Sequence, residues 1–312
     1  MNGIIIINKP SGWTSHDVIA KLRGATKQKR IGHGGTLDPM ATGVLPVFVG
    51  RATRAAEFCE NAEKEYIATL KLGIVTDTQD ITGNILSENK VIATFEDLKN
   101  ILPQFTGAQK QIPPMYSAIK KDGKKLYELA RQGIEIPREP REIYISTLSV
   151  GVDAPGDPPP RHCGLEPQSP DTPDTYTLRI TCSKGTYIRT LCHDIGAALG
   201  CGGTLSALER TRAGVYTIDM AHTLDAVLAA VSTDTVNSII LPIDSIFSEY
   251  PAIAISATQL RKALNGAPCK TQENTRNGRY RVYDPTCKFL LLGEVNNNVI
   301  TTIKSFFEVK QK

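Results

Sequence analysis

A single carboxylate stands in a glycine-rich stretch of this 312-residue chain, and this arrangement restricts how the local backbone can fold. Residues 32–43 read Gly-His-Gly-Gly-Thr-Leu-Asp-Pro-Met-Ala-Thr-Gly, with Asp38 near the middle. The glycines permit tight turns and close approach to another molecule, and Pro39 restricts the chain directly after the acid. The apolar run 44–50 is typical of a buried strand. Asp38 is therefore either a nucleophile or base held on a loop, or an ordinary turn residue.

Basic residues are concentrated in three segments. Residues 21–54 contain seven Lys or Arg and one acid, 110–141 contain eight bases and four acids, and 251–312 contain ten bases and four acids. The whole chain has a net charge of only +4, so the remaining segments are acidic overall. Such clustering indicates a polyanionic partner, most simply nucleic acid, although solvated surface faces produce the same pattern.

Length and composition are those of a globular protein, with 41% hydrophobic and 22% charged residues and room for two domains. No apolar run reaches membrane-spanning length, so we expect a cytoplasmic protein without a membrane partner, and we expect it to be a monomer. The seven cysteines are scattered and include no Cys-x-x-Cys pair. We therefore expect neither a disulfide framework nor a metal site.

Hydrophobic periodicity predicts an alternation of strands and helices. Strands are predicted at 4–7, 44–50, 65–73, 143–151 and 176–182. Helices are predicted from Thr14 or Ser15 to Arg23, and at 51–62, 95–102, 124–133, 187–199 and 257–264. Residues 153–174 contain seven prolines, which exclude helix and interior strand, so a disordered loop is predicted there. Short strands separated by turn residues predict a compact β-rich module after residue 248.

Four segments in a fixed order resemble a known family. They are 8–15 (Asn-Lys-Pro-Ser-Gly-Trp-Thr-Ser), 32–43, 64–73 (Lys-Glu-Tyr-Ile-Ala-Thr-Leu-Lys-Leu-Gly) and 183–190 (Ser-Lys-Gly-Thr-Tyr-Ile-Arg-Thr). In this order and spacing they resemble the bacterial TruB family of tRNA pseudouridine synthases. Segments 111–120 and 123–138 resemble the insert with which that family grips the T arm of tRNA. The resemblance is close over 3–151 and 176–216 and looser in the C-terminal region.

The resemblance implies an α+β fold in two parts. A catalytic domain (residues 1–248) would contain a mixed, largely antiparallel pseudouridine-synthase sheet with flanking helices, and an RNA-gripping insert at about 110–141. A small C-terminal β-barrel of PUA type (residues 249–312) would bind RNA. The implied enzyme converts uridine to pseudouridine at position 55 in the TΨC loop of tRNA, without a small-molecule cofactor or metal.

Six positions match residues that have roles in that family. Asp38 matches the catalytic aspartate. The other five match substrate-binding residues: a tyrosine that stacks on the target base (Tyr66), an arginine that pairs with the aspartate (Arg189), a leucine that packs near the base (Leu208), a histidine that fills the space left by the flipped nucleotide (His33) and an N-terminal lysine that borders the site (Lys9).

The implied reaction needs residues of these types. The N1–C1′ bond of uridine must break and C5 must replace N1, after the base has left the stack. An ionised carboxylate can attack as a nucleophile or accept a proton from the sugar. We expect Arg189 to lower the pKa of Asp38, because a nearby positive charge favours the ionised form.

Two other functions also fit the sequence. A nucleosidase or glycosylase would use the same aspartate to cut N1–C1′ and let water complete the reaction. Such enzymes usually need a second carboxylate, and none lies near Asp38 in sequence. A non-catalytic protein that folds or binds tRNA would use the basic faces alone. An abasic product identifies the first alternative, and an Asp38→Asn variant with full cellular function identifies the second.

Overall fold

The computed structural model describes residues 1–151, 174–271 and 274–307, so the predicted loop at 153–174 lies outside the described residues except for Asp174. The first ten strands are β1 (Gly3–Lys9), β2 (Ile31–His33), β3 (Thr42–Val49), β4 (Lys64–Leu72), β5 (Ile74–Thr76), β6 (Ile85–Glu88), β7 (Gly107–Gln111), β8 (Lys120–Lys121), β9 (Lys124–Lys125) and β10 (Arg141–Gly151). The other strands are β11 (Thr175–Cys182), β12 (Gly203–Ala213), β13 (Tyr216–Thr217), β14 (His222–Thr223), β15 (Ala252–Ala254), β16 (Cys269–Lys270), β17 (Gly278–Tyr283), β18 (Phe289–Asn296) and β19 (Val299–Ser305). The α-helices are α1 (Ser15–Thr26), α2 (Ala56–Asn61), α3 (Phe95–Ile101), α4 (Leu126–Ala130), α5 (Ile188–Ala198), α6 (Leu224–Ser232) and α7 (Ala257–Leu264).

Ten of the described strands form one large sheet. Its order is β14-β1-β3-β12-β4-β11-β10-β7, with β2 added to β3 and β13 added to β12. The β1–β14 and β3–β12 pairs are parallel, and the other pairs described in this sheet are antiparallel. The predicted mixed, largely antiparallel sheet with flanking helices is therefore confirmed.

Both faces of strand β1 are buried, which explains its unbroken run of isoleucines. Ile5 and Ile7 enter the main core together with residues of α1, α3, α5 and α6. Ile4 and Ile6 point to the opposite face and enter a second core. Successive side chains of a strand alternate between faces, so a strand covered on both sides is apolar at every position.

Local sequence signals set the helix boundaries near the active region. Thr14 caps α1 through a reciprocal pair of hydrogen bonds with Asp17, as the predicted start requires. The helix runs to Thr26, beyond the predicted end at Arg23. The helix predicted at 124–133 is wrong in its bounds: α4 covers only Leu126–Ala130. Lys124 and Lys125, predicted to begin this helix, instead form strand β9, which pairs with β8. Asp122 and Gly123 between the two strands adopt the positive φ angles of a tight hairpin turn.

A second sheet forms the C-terminal module. Its order is β15-β17-β18-β19-β16, and it curls into a half-barrel with α7 beside it. Val282, Leu291 and Ile300 belong to its own core. Leu292 and Phe306 instead join the second core, where they pack with residues of the large sheet. The predicted β-rich module is therefore present, and it shares buried apolar surface with the rest of the chain.

Candidate active site

The loop between β2 and β3 holds Asp38 through contacts on both of its neighbours. The Ser15 hydroxyl accepts a hydrogen bond from the Leu37 amide at 2.8 Å and donates to the Leu37 carbonyl at 3.2 Å. The Lys9 ammonium donates to the carbonyl of Pro39 at 3.2 Å. Segment 8–15 of the family pattern therefore supplies the groups that fix the backbone immediately before and after Asp38.

Lys9 lies beneath this loop and has no exposed surface. Its ammonium also donates to the carbonyls of Pro10 and Trp13, at 2.8 and 2.6 Å. Burial lowers the pKa of Lys9 to about 8, although the negative charge of Asp38 opposes this shift. Because every contact is internal, this geometry suits a supporting group rather than one that touches a substrate.

Arg189 is brought against Asp38 from the first turn of α5. Its Nε lies 2.9 Å from Asp38 Oδ2, and its Nη2 lies 3.4 Å from Asp38 Oδ1. The Arg189 side chain is 6% exposed and that of Asp38 is 37% exposed. The arginine is thus buried while the carboxylate keeps an accessible side. The predicted Asp38–Arg189 pair is present in the structure.

A second carboxylate, Asp80, shares the same guanidinium. Asp80 Oδ2 lies 3.4 Å from Arg189 Nη1, and its side chain is 7% exposed. Its Oδ1 accepts hydrogen bonds from the Thr78 hydroxyl and from both the amide and the hydroxyl of Thr82. Sequence reasoning missed this residue. The sequence around Asp80 indicates only a polar turn, and such turns are too common on protein surfaces to identify a buried site residue.

The pKa of Asp38 is raised above its ordinary value. Burial makes the largest contribution and Asp80 adds to it, whereas Arg189 and Lys9 favour the charged form. Arg189 does act to lower the pKa of Asp38, as expected, but the desolvation of the carboxyl outweighs it, so the net shift is upward. A carboxylate with a raised pKa is a stronger proton acceptor than a fully solvated one.

Tyr66 and Leu208 lie on adjacent strands and on the same face of the sheet. In the β4–β12 ladder, Tyr66 is opposite Arg210 and Ala68 is opposite Leu208. Leu208 is 6% exposed and belongs to the main core, and Tyr66 packs against that core while remaining partly exposed. Burial raises the pKa of the Tyr66 phenol, and the positive charge of Arg210 beside it opposes the shift.

Arg210 was also missed by sequence reasoning. It is 1% exposed, and its guanidinium donates to the carbonyls of Val44 at 2.7 Å, Gly35 at 3.1 Å and Thr36 at 3.4 Å. It therefore joins β12 to β3 and to the loop that carries Asp38. An arginine in a strand is normally read as an exposed position, so its burial could not be inferred from its residue type.

Gly43 allows the close approach of β3 to β12 at this point. Its φ angle is +98°, and a Cβ atom placed there would lie 2.2 Å from the carbonyl oxygen of Arg210. Any other residue would force the two strands apart and would be strained at this φ angle. This explains the glycine that ends the 32–43 segment.

His33 ends β2, on the same loop as Asp38. Its Nδ1 is buried and has no hydrogen-bond partner in the described part of the chain. Burial lowers the pKa of His33, and the positive charge of Arg210 adds to the effect. The ring is therefore neutral at neutral pH. Across the described ranges, no cluster of His, Cys, Asp and Glu can hold a metal ion, and no helix is long and apolar enough to cross a membrane.

Comparison with protein families agrees with this geometry. A model of the TruB family pseudouridylate synthase N-terminal domain matches residues 23–188. A model of the tRNA pseudouridylate synthase B C-terminal domain matches residues 189–248. These matches place the chain among the pseudouridylate synthases. Together with relatives of about 40% identity over nearly the full length, they show that the chain belongs to the TruB family.

Two of these relatives carry the name tRNA pseudouridine synthase B. The protein from Syntrophomonas wolfei is 41% identical over 95% of this chain and 94% of its own length. The protein from Clostridium kluyveri is 38% identical over 98% of this chain and 100% of its own length. Among solved structures, a chain of a Cbf5–Nop10–Gar1 complex matches with a TM-score of 0.69 and 23% identity, covering 98% of this chain and 85% of that chain. At this identity the likeness concerns the fold.

Proposed function

We propose that this protein converts uridine to pseudouridine at position 55 in the TΨC loop of tRNA, with Asp38 as the catalytic carboxylate. The observation that carries the proposal is the position of the partly exposed Asp38 carboxylate. Asp38 lies on a loop fixed by Ser15 and Lys9, and its carboxylate is 2.9 Å from the buried guanidinium of Arg189. The names of the relatives support the substrate class, and the family resemblance supports the position within tRNA.

The reaction exchanges one bond for another. The N1–C1′ bond breaks, the detached base turns, and a C5–C1′ bond forms while C5 loses its hydrogen and N1 gains a proton. Asp38 acts either by attacking carbon or by accepting a proton from the sugar. Arg189 orients the carboxylate and balances its charge. No step requires a metal or a small-molecule cofactor.

The remaining site residues receive roles that match their burial. Tyr66 keeps an exposed side on which the flipped base stacks, and Leu208 packs behind it. His33 fills the space that the base leaves. Lys9 is assigned to support of the loop, because it has no exposed surface.

The insert supplies a surface for the T arm. Lys120, Lys121, Lys124 and Lys125 form the β8–β9 hairpin, where the first three side chains are exposed and the fourth is half-buried. Lys125 also lies over the Tyr127 ring, 5.4 Å from its centroid. Paired lysines on a short hairpin suit contacts with phosphates, which provide affinity without reading sequence.

The position of Asp80 argues against a glycosylase. Glycoside-cleaving enzymes use their second carboxylate on the substrate or on an attacking water. Both oxygens of Asp80 are engaged internally, one by Thr78 and Thr82 and the other by Arg189, and the side chain is 7% exposed. Because it is buried and held by these internal contacts, Asp80 is poorly placed to reach a leaving group, which favours the isomerase.

The test is an Asp38→Asn variant assayed for tritium release from tRNA labelled at uridine C5, because C5 must lose that hydrogen. We expect no release, while filter binding of the same tRNA is retained, since loss of a negative charge does not weaken attraction to phosphate. The fold should survive, because Arg189 keeps Asp80 as a partner.

The matched control is Asp219→Asn, which alters an exposed carboxylate. It should release tritium at the wild-type rate. Wild-type tritium release by Asp38→Asn would refute the assignment of Asp38. An abasic product from the wild type would show a glycosylase, and absence of both products would leave tRNA binding as the function.

A further inference from the structure

The root of the insert is tied directly to the first turn of α5. The insert leaves the sheet after Gln111 and returns at Arg141, and these two residues are paired across β7 and β10. Gln111 is 5% exposed. Its side-chain amide donates to the carbonyl of Tyr187 at 3.1 Å and accepts from the Tyr187 amide at 2.8 Å. Gln111 thus contacts both backbone groups of Tyr187, the residue directly before α5.

Arg189 stands two residues after this contact and touches the insert itself. Its Nη2 donates to the carbonyl of Tyr116 at 3.0 Å, five residues beyond Gln111 in the chain. The same guanidinium pairs with Asp38. The insert therefore reaches the Asp38–Arg189 pair by two routes, one through the backbone of Tyr187 and one through the carbonyl of Tyr116.

The body of the insert is packed separately from the sheet. Met115, Leu126 and Leu129 form a small cluster of their own, with Ile119, Ala130 and Ile136 around it. None of these residues belongs to the main core. A unit with its own small core can change its tilt without disrupting the sheet, so the contacts at its root determine what such a change does to the site.

We propose that Gln111 is a positioning residue that couples the placement of the insert to the orientation of Arg189, so that the Asp38–Arg189 pair is correctly aligned only when the root of the insert is seated on α5. This inference rests on the proposed function. The insert then has a second task besides binding. A T arm that holds the root of the insert against α5 also aligns Asp38 with Arg189, whereas an RNA helix that binds without producing this contact does not. Gln111 touches no reacting atom and acts through Tyr187 and Arg189.

The test compares Gln111→Met with Gln109→Met in single-turnover tritium release at saturating enzyme. Gln109 is a matched control, because it lies on the same strand and its side chain also makes two hydrogen bonds to backbone groups, both donated, to the carbonyls of Gln104 and Thr106. We expect the Gln111→Met rate constant to fall about 10- to 100-fold, since a displacement of about 1 Å costs on that order. tRNA affinity should change less than about twofold, and Gln109→Met should match the wild type.

The pH profile separates positioning from general damage. The charged and titratable groups that interact with the Asp38 carboxyl are Arg189 from α5, Asp80 from the loop after β5, Lys9 from β1, Tyr66 from β4 and Tyr187 just before α5. Arg189 lowers the pKa of Asp38, so misplacing it raises that pKa further. The acidic limb of the rate profile should therefore move to higher pH in Gln111→Met, and the loss should be greatest at the acidic end.

The possible outcomes are distinct. A normal rate, a loss confined to tRNA affinity, or a uniform loss without a shift of the acidic limb would each overturn the coupling. If Gln111→Met does not fold, Gln111→Asn decides: it keeps the uncharged amide but is one methylene shorter, so the contact with Tyr187 is weakened and a smaller loss with a shift in the same direction is expected. Failure of the proposed function is recognised separately, because the wild type itself would then release no tritium.

Discussion

Replacement of Arg210 by methionine should destabilise the protein and loosen the loop that carries Asp38. Methionine keeps most of the side-chain volume but leaves three backbone carbonyls without their donor. The bonds to Val44 and Gly35, at 2.7 and 3.1 Å, have good lengths, and the 3.4 Å bond to Thr36 is weak. Two hydrogen bonds from a charged donor are worth about 1.5–3 kcal/mol each, so the expected loss is about 3–6 kcal/mol.

The assay is thermal unfolding, with tritium release as a second measurement. One kcal/mol corresponds to about 2–4 °C for a domain of this size class, so Arg210→Met should melt roughly 6–24 °C lower. Because Gly35 and Thr36 lead directly to Asp38, the turnover number should also fall at temperatures where the variant is folded.

Arg212→Met is the matched control, since Arg212 lies two residues further along the same strand. It makes an ion pair of 2.9 Å with Glu65, and the two side chains are 26% and 42% exposed. Such a pair contributes about 0.2–1 kcal/mol. If the two variants melt within about 2 °C of each other, the three carbonyl contacts do not stabilise the fold and the reasoning is refuted.

Two further variants test other parts of the structure. Asp80→Asn removes one of two acids that share Arg189 and should slow single turnover about 10- to 100-fold; because Asp80 raises the pKa of Asp38, the acidic limb of the rate profile should move to lower pH. Asp77→Asn, in the same loop, should leave that limb in place. Phe306→Ala empties a position between the rings of Phe247 and Phe289 and should cost about 3–5 kcal/mol in thermal unfolding. Ile303→Ala, on strand β19 that ends just before Phe306, alters a side chain that is 36% exposed and should cost little; equal losses for the two would show that the C-terminal module does not stabilise the rest of the chain.

Signals that act over a few residues were readable from the sequence alone. The Thr14–Asp17 cap, the alternation of β4 and the bounds of α7 follow from local hydrogen bonding and periodicity. The ordered family segments also placed Asp38 and Arg189 together, although 151 positions separate them. The predicted bounds of α4 are wrong, because the apolar spacing that indicates a helix does not reveal that Lys124 and Lys125 pair with Lys121 and Lys120 in a hairpin.

Only the tertiary structure decided the electrostatics of the site and the buried polar residues that hold its loop and helix in place. Asp80, Arg210 and Gln111 are polar residues whose ordinary place is the surface, and each is buried against a partner distant in the chain: Arg189 for Asp80, which Thr78 and Thr82 also satisfy locally, the carbonyls of the 35–44 segment for Arg210 and the backbone of Tyr187 for Gln111. The pKa of Asp38 likewise depends on how many groups surround one carboxyl in space. Sequence determines which side chains are available, but desolvation and the sharing of one guanidinium arise only when the strands and loops have packed together.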